Sequence, residues 1–139
     1  MRALTLWRPW TDAILYGGKN VENRTWKPPD AIIGERIAIH AGKYYDKHGA
    51  IWMQKEELYV PPSNAESPIG IVGVARITGY RYQDRCCSPW AFSDYHWLLD
   101  EVAPLSEPIP APGALGLWWV KGDAERELIS RIVDRPQEL

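Results

Sequence analysis

The segment from Ile69 to Thr78, IGIVGVARIT, constrains the fold more than any other part of the chain. It is apolar on both faces, so neither side can lie against water, and such a strand belongs in the middle of a sheet or in the wall of a small barrel. Other strands must flank it. RALTLW at residues 2–7 alternates, with Thr5 between leucines, and reads as a first strand through Trp7. RIAIHA at residues 36–41 is a second, with Ile37 and Ile39 on one face and Arg36, Ala38 and His40 on the other.

Helical and turn signals fill the gaps between strands. Pro9 suits the first turn of a helix, where its missing N–H has no partner to lose. Trp10, Ala13, Ile14 and Gly17 follow helical spacing, and Gly17-Gly18 supplies a left-handed stop. Beyond the turn, Val21, Asn23 and Thr25 alternate with Glu22, Arg24 and Trp26, so a strand points the last three to one side until KPPD ends it. Asp46 caps a helix expected over residues 47–58, on which Ile51, Lys55 and Leu58 share a face, and VPPSNAESP is a loop. A loop with Cys86, Cys87, Pro89 and Trp90 leads to HWLLDEVAPL, which reads as a strand. SEPIPAPG, carrying Pro108, Pro110 and Pro112, must run extended, and ALGLWWV closes the sheet. Asp123 caps a last helix with Glu125 and Glu127 in its first turn, Arg131 and Arg135 near its end and Pro136 as its stop. Leu128, Ile129, Ile132 and Val133 would be its buried stripe. The order of elements predicts an α+β protein with a single domain over residues 1–139.

A formal net charge of -2 rules against a general nucleic-acid coater, which needs a basic face to release counterions from many phosphates. Any nucleic-acid contact must then be local. Adjacent Cys86 and Cys87 suit neither a structural disulfide nor a spaced zinc pattern, so a reducing compartment, no metal and no cofactor are expected. Arg2, Arg8, Pro9 and Asp12 interrupt the apolar residues near the start, leaving no run of signal or membrane length; a soluble, cytoplasmic protein without membrane contact is expected. Eight tryptophans and seven tyrosines against one phenylalanine favour rings with a polar handle, which suit both core edges and stacking surfaces.

The stretch YGGKNVENRTW concentrates Lys19, Glu22 and Arg24 beside the glycine turn, between Tyr16 and Trp26. On one reading Glu22 pairs with Arg24 or Lys19 on a wet surface and contributes about 0 to 1 kcal/mol. On the other, Glu22 and Arg24 share a strand face, the glycines let the turn approach a ligand, and Lys19 is delivered at its mouth. A carboxylate beside two cations can accept from the exocyclic amine of a base while the cations hold its carbonyl or a phosphate. On that reading Glu22→Gln weakens base selectivity and leaves folding nearly intact.

GGKNVENR fits the pattern Gly-x-Lys-x-x-Glu-x-Arg of the ASCH domain through Gly17, Lys19, Glu22 and Arg24, and LTLWRPWTDAIL, IAIHAGK and GALGLWWV resemble its further segments in the same order. The resemblance implies a PUA-like fold: a small mixed, largely antiparallel β-barrel with flanking helices, related to RNA-binding and modified-base-reading domains. It also implies that RNA, or a nucleoside or nucleotide, binds between the first helix and the barrel against Lys19, Glu22 and Arg24. Trp7, Trp26 and Tyr44 are candidate stacking rings, His40 a candidate donor or acceptor in the same cleft, and Lys43 a candidate phosphate contact. Three other functions stay open. One subgroup of the family hydrolyses N4-acetylcytidine and carries Thr three positions after the Lys; this chain has Glu22 there, and Thr25 lies on the other strand face. An amidohydrolase of this kind would have to use Lys19 and Glu22 as acid and base around a water. A ribonuclease and a protein-interaction adaptor using exposed tryptophans are the remaining alternatives.

Overall fold

In a computed structural model of the chain, residues 1–84, 88–92 and 94–133 are described, the last without its side chain. The expectations for Cys86, Cys87, Arg135, Pro136 and the side chain of Val133 lie outside them. The elements run β1 (Arg2–Arg8), α1 (Trp10–Tyr16), β2 (Val21–Arg24), a 3-10 turn (Asp30–Ile32), β3 (Arg36–Tyr45), α2 (Lys47–Lys55), β4 (Gly70–Tyr82), β5 (Tyr95–Ile109), β6 (Leu117–Trp119) and α3 (Gly122–Val133). Among the described residues no helix is long and apolar enough to cross a membrane.

The six strands form one sheet in the order β2-β5-β4-β3-β1-β6. Among the described strands only β1 and β3 run parallel, with Ala3 opposite Ala38 and Thr5 opposite His40; the other pairs are antiparallel. A parallel pair needs a crossover, and α1, β2 and the 3-10 turn supply it. The α+β class and the largely antiparallel pairing therefore agree with the sequence. Closure into a barrel is not seen: the described sheet is open, with β2 and β6 at its edges.

The double apolar face of β4 now has its reason. On one side of the sheet Leu4, Leu6, Ile37, Ile39, Ile77, Trp97 and Leu99 pack against Ile14 and Leu15 of α1. On the other, Ala3, Ala38, Ile71, Val74 and Ile109 pack with Leu128 of α3. Gly73 lets α1 and β5 approach β4 closely, since a β-carbon there would lie 2.5 Å from Leu15 Cδ2 and 2.8 Å from the Ala103 carbonyl oxygen. A third cluster of Ala13, Val21, Met53, Trp90 and Ala91 joins α1, α2 and the 88–92 loop.

Several expectations need correction. Trp26 and Thr25 fall outside β2, which ends at Arg24. β5 runs on past the HWLLDEVAPL segment through Pro108 to Ile109, because β2 pairs only with Tyr95 to Leu98; beyond that point β5 has no ladder on that side, and prolines are tolerated on such an edge. On α2 the buried residues are Gly49, Ala50 and Met53, while Ile51 is 54% exposed. On α3 Leu128 is buried and Ile132 partly so, but Ile129 faces out at 49% exposure. The cap of α2 is as read: Asp46 Oδ1 accepts from the backbone N–H of Gly49 at 3.0 Å.

Candidate functional site

The charged stretch is positioned by the end of α1. The N–H groups of Gly17 and Lys19 both donate to the Ala13 carbonyl, at 2.9 and 3.1 Å, and the reversal between them passes through Gly18 at φ +75°. That conformation suits glycine, which lacks the β-carbon that would clash. Gly17 serves a different end from the one expected: a β-carbon there would lie 2.6 Å from the Tyr59 ring, so it seats Tyr59 and does not open the turn to a ligand.

The turn sends Lys19 inward, to 2% exposure, where Nζ donates to Val21 O at 2.5 Å and to Glu22 Oε1 at 3.3 Å. The other Glu22 oxygen, Oε2, lies 3.1 Å from Arg24 Nε, close enough for an ion pair although the buried N–H is not aligned for a hydrogen bond. A lysine, a carboxylate and an arginine thus stand in line along one side of β2. Lys19 is also held 5.8 Å from the centre of the Trp10 ring. Burial lowers the Lys19 pKa below the ordinary lysine value, and the Glu22 charge and hydrogen bond oppose that shift only in part.

These groups form the floor of a cleft of about 350 Å³, lined also by Thr5, Leu6, Trp7, Trp10, Asn23, Asp46 and Phe92. It lies between β1 and β2, strands far apart in the sheet order. Curling of the sheet brings them together, and a side chain replaces the missing ladder: Arg24 Nη2 donates to the Thr5 carbonyl at a long 3.5 Å. The cleft thus occupies the seam at which the sheet stays open.

Its walls are held from outside. Asp46 Oδ2 accepts from the Trp10 indole N–H at 2.9 Å. Asn23 ties down the 88–92 loop, donating to Trp90 O and accepting from the Phe92 N–H, both at 3.0 Å, and this aims Phe92 at the cleft. Trp7, 57% exposed, stands at the rim with Tyr44 edge-on at 4.6 Å between ring centres.

Of the predicted residues, Lys19, Glu22, Arg24 and Trp7 therefore converge. The others do not line the cleft. Tyr44 braces Trp7 from outside, and Lys43 is an exposed neighbour whose carbonyl accepts from Arg8. Trp26 packs at 4.7 Å between ring centres on Trp97, whose indole N–H donates to the Trp26 carbonyl. His40 is buried on the opposite side of the sheet: Nδ1 lies 3.2 Å from Thr5 Oγ1 and Nε2 2.7 Å from the Ala111 carbonyl. The Ala111 carbonyl can only accept, so His40 Nε2–H donates to it; Thr5 Oγ1 accepts from the Trp118 indole N–H and stands in hydrogen-bond reach of Nδ1, so both ring nitrogens are occupied.

Trp10, Asn23, Asp46 and Phe92 were missed. Asp46 carried a signal, as the helix cap, but its second role depends on a tertiary partner. Phe92 lies in an aperiodic loop with no signal in sequence.

The sequence profile described as the ASCH domain matches residues 4–110, a span that ends before the GALGLWWV segment. Among solved structures, the ASCH protein of Zymomonas mobilis superposes with a TM-score of 0.55 at 17% identity, over 93% of each chain. A mutant of that protein gives a TM-score of 0.55 at 18% identity over 94% of each chain. Identity this low carries the fold alone. Comparison with curated proteins gives no match. The profile match over most of the chain, with the same architecture in the Zymomonas protein, places this chain in the ASCH domain family.

Proposed function

We propose that the cleft binds a base of RNA, or of a nucleotide, by its polar edge, as a non-catalytic reader. The observation that carries this reading is the line of buried Lys19 and Glu22 with half-buried Arg24 at the bottom of a recess with tryptophan at its wall and rim. A volume of about 350 Å³ lies at the small end of ligand sites, suited to one base with its sugar. Lys19 has three donors and spends two on Val21 and Glu22, leaving one for a carbonyl or ring nitrogen. Glu22 retains lone pairs for an amine, so donor and acceptor sit side by side as they do on the edges of bases. A base seated in the recess displaces water from these groups, which strengthens each of these bonds. Membership of a family with a PUA-like fold supports the choice of RNA over other ligands bearing the same groups.

One observation favours a second reading. A buried lysine with a lowered pKa, hydrogen-bonded to a carboxylate, is an acid–base pair, and the amidohydrolase alternative requires one. Release of acetate from N4-acetylcytidine separates the two readings; the reader binds without product.

Quenching of tryptophan fluorescence by nucleosides and short RNA tests binding itself. Lys19 must be charged to donate in this way, and its lowered pKa means that the proton is lost earlier than from an ordinary lysine. Affinity is therefore expected to fall at a pH below the ordinary lysine value near 10.4. Lys19→Met should bind at least about tenfold more weakly and lose this pH dependence. A flat profile in the wild type, or an unchanged one in Lys19→Met, contradicts the assignment.

A further inference from the structure

Beside the cleft lies a second, larger concavity of about 700 Å³, lined by Trp10, Asp46, Phe92, His48, Trp52 and Pro89 among others. The first three of these residues line the cleft as well, so the two hollows share a wall. The shared wall is built with care. Trp10 is fixed by its bond to Asp46, and Gly49 leaves room for it, since a β-carbon there would lie 2.5 Å from the Trp10 ring. Trp10, Trp52 and Phe92 then meet with centres 5.7 to 6.0 Å apart, at angles between 44° and 78°. Three rings at different tilts offer both faces and edges to a flat guest. The surroundings suit a neutral ring better than a phosphate: Asp46 caps α2 with one oxygen and holds Trp10 with the other, so the helix start is already occupied by a carboxylate.

We infer that the cleft and this hollow are adjacent base sites of one groove, and that the ligand is a single-stranded oligonucleotide of at least two nucleotides. The first base meets Lys19, Glu22 and Arg24; the second lies against Trp52 and Phe92, with His48 at its edge. The inference rests on the proposed reading of the first cleft and adds the class of ligand to it. The two sites differ in kind. The first holds buried charge and can discriminate among bases; the second is aromatic and accepts any base, because every base has a π-face.

The test compares nucleosides, dinucleoside monophosphates and homopolymeric RNA hexamers by fluorescence titration at fixed salt. The best dinucleoside monophosphate is expected to bind at least about tenfold more tightly than its nucleoside, within the roughly 5- to 150-fold that one stacked base supplies. Trp52→Leu should remove that gain and leave nucleoside affinity unchanged. Because Trp52 also packs on the α1–α2 cluster, His48→Glu is the companion: His48 is exposed in the first turn of α2, where a carboxylate is tolerated by the helix, and the added charge repels the linking phosphate. It should weaken the dinucleotide about threefold or more and spare the uncharged nucleoside. A nucleoside that binds as tightly as the dinucleotide, or a gain that survives both substitutions, overturns the second site and leaves the first. Failure of every nucleoside, dinucleotide and hexamer to bind overturns the reading of the cleft, and this inference with it.

Discussion

Glu22→Gln is expected to lower stability by about 3 kcal/mol at pH 7 and to abolish ligand binding. The sequence alone led to a milder expectation, an intact fold with altered selectivity. The geometry reverses it, because Glu22 is 9% exposed and stands between a lysine that is itself 2% exposed and Arg24. Removing one member of a buried pair leaves an uncompensated charge, which is costly at about 3 to 5 kcal/mol; the low end applies here because Lys19 can shed its proton. The same escape gives the result a pH signature. Lys19 has a folded-state pKa below its unfolded value, so between the two the unfolded chain binds more protons and stability rises with pH. Glu22 acts to raise the Lys19 value, so its neutralisation lowers that value further and widens the window downward. The deficit of Glu22→Gln, measured by urea unfolding, should therefore shrink as the pH rises above 7. A deficit below about 1 kcal/mol, or one that grows with pH, would show that the charges are solvated.

Arg8→Ala is expected to cost about 3 to 5 kcal/mol, measured in the same way. Arg8 is 2% exposed and spends all of its donors: Nε on Gly42 O, Nη1 on Asn64 O and Ser67 O, and Nη2 on Lys43 O and Asn64 Oδ1, at 2.6 to 3.1 Å. Truncation leaves the Ser67 carbonyl unpaired in the interior and removes the partner of four half-buried oxygens. It also frees the 60–68 segment from β1, where Ser67 Oγ donates to the buried Asp12 of α1 at 2.6 Å. Trp7 and Trp10 flank this anchor, so ligand affinity should fall with stability. Arg8→Lys should recover only a small part of the loss, since an ammonium has three donors and no planar fork to reach all of these oxygens. Full rescue by lysine, or a loss under 1 kcal/mol, would contradict the carbonyl cage.

Legibility in the sequence followed the range of the interactions. The periods of RALTLW and RIAIHA place their residues on the correct alternate faces, and the glycines after α1 mark the reversal that buries Lys19. Periodicity does not say which face becomes a cleft, and His40 shows the consequence: it alternates as expected, yet its face is the one covered by Trp118 and the 111 segment. Trp26 was misplaced because β2 ends at Arg24 and the alternation ends with it. The prolines of SEPIPAPG show only that it runs extended; nothing local reveals that its first residues continue β5, since β2 leaves them without a ladder on that side. Phe92 and Asp46 enter the cleft through Asn23 and Trp10, partners distant in sequence.

The most direct measurement follows the tryptophan indole N–H resonances of the isotope-labelled protein during titration with a short single-stranded RNA. The Trp10 indole, hydrogen-bonded to Asp46 at the shared wall, and the Trp7 indole at the rim should move first and furthest. Trp119, exposed in β6 with the Arg2 guanidinium over its ring, should stay still. Shifts confined to Trp119, or none at any RNA concentration up to about 1 mM, where a binding free energy is only about 4 kcal/mol, would contradict the account.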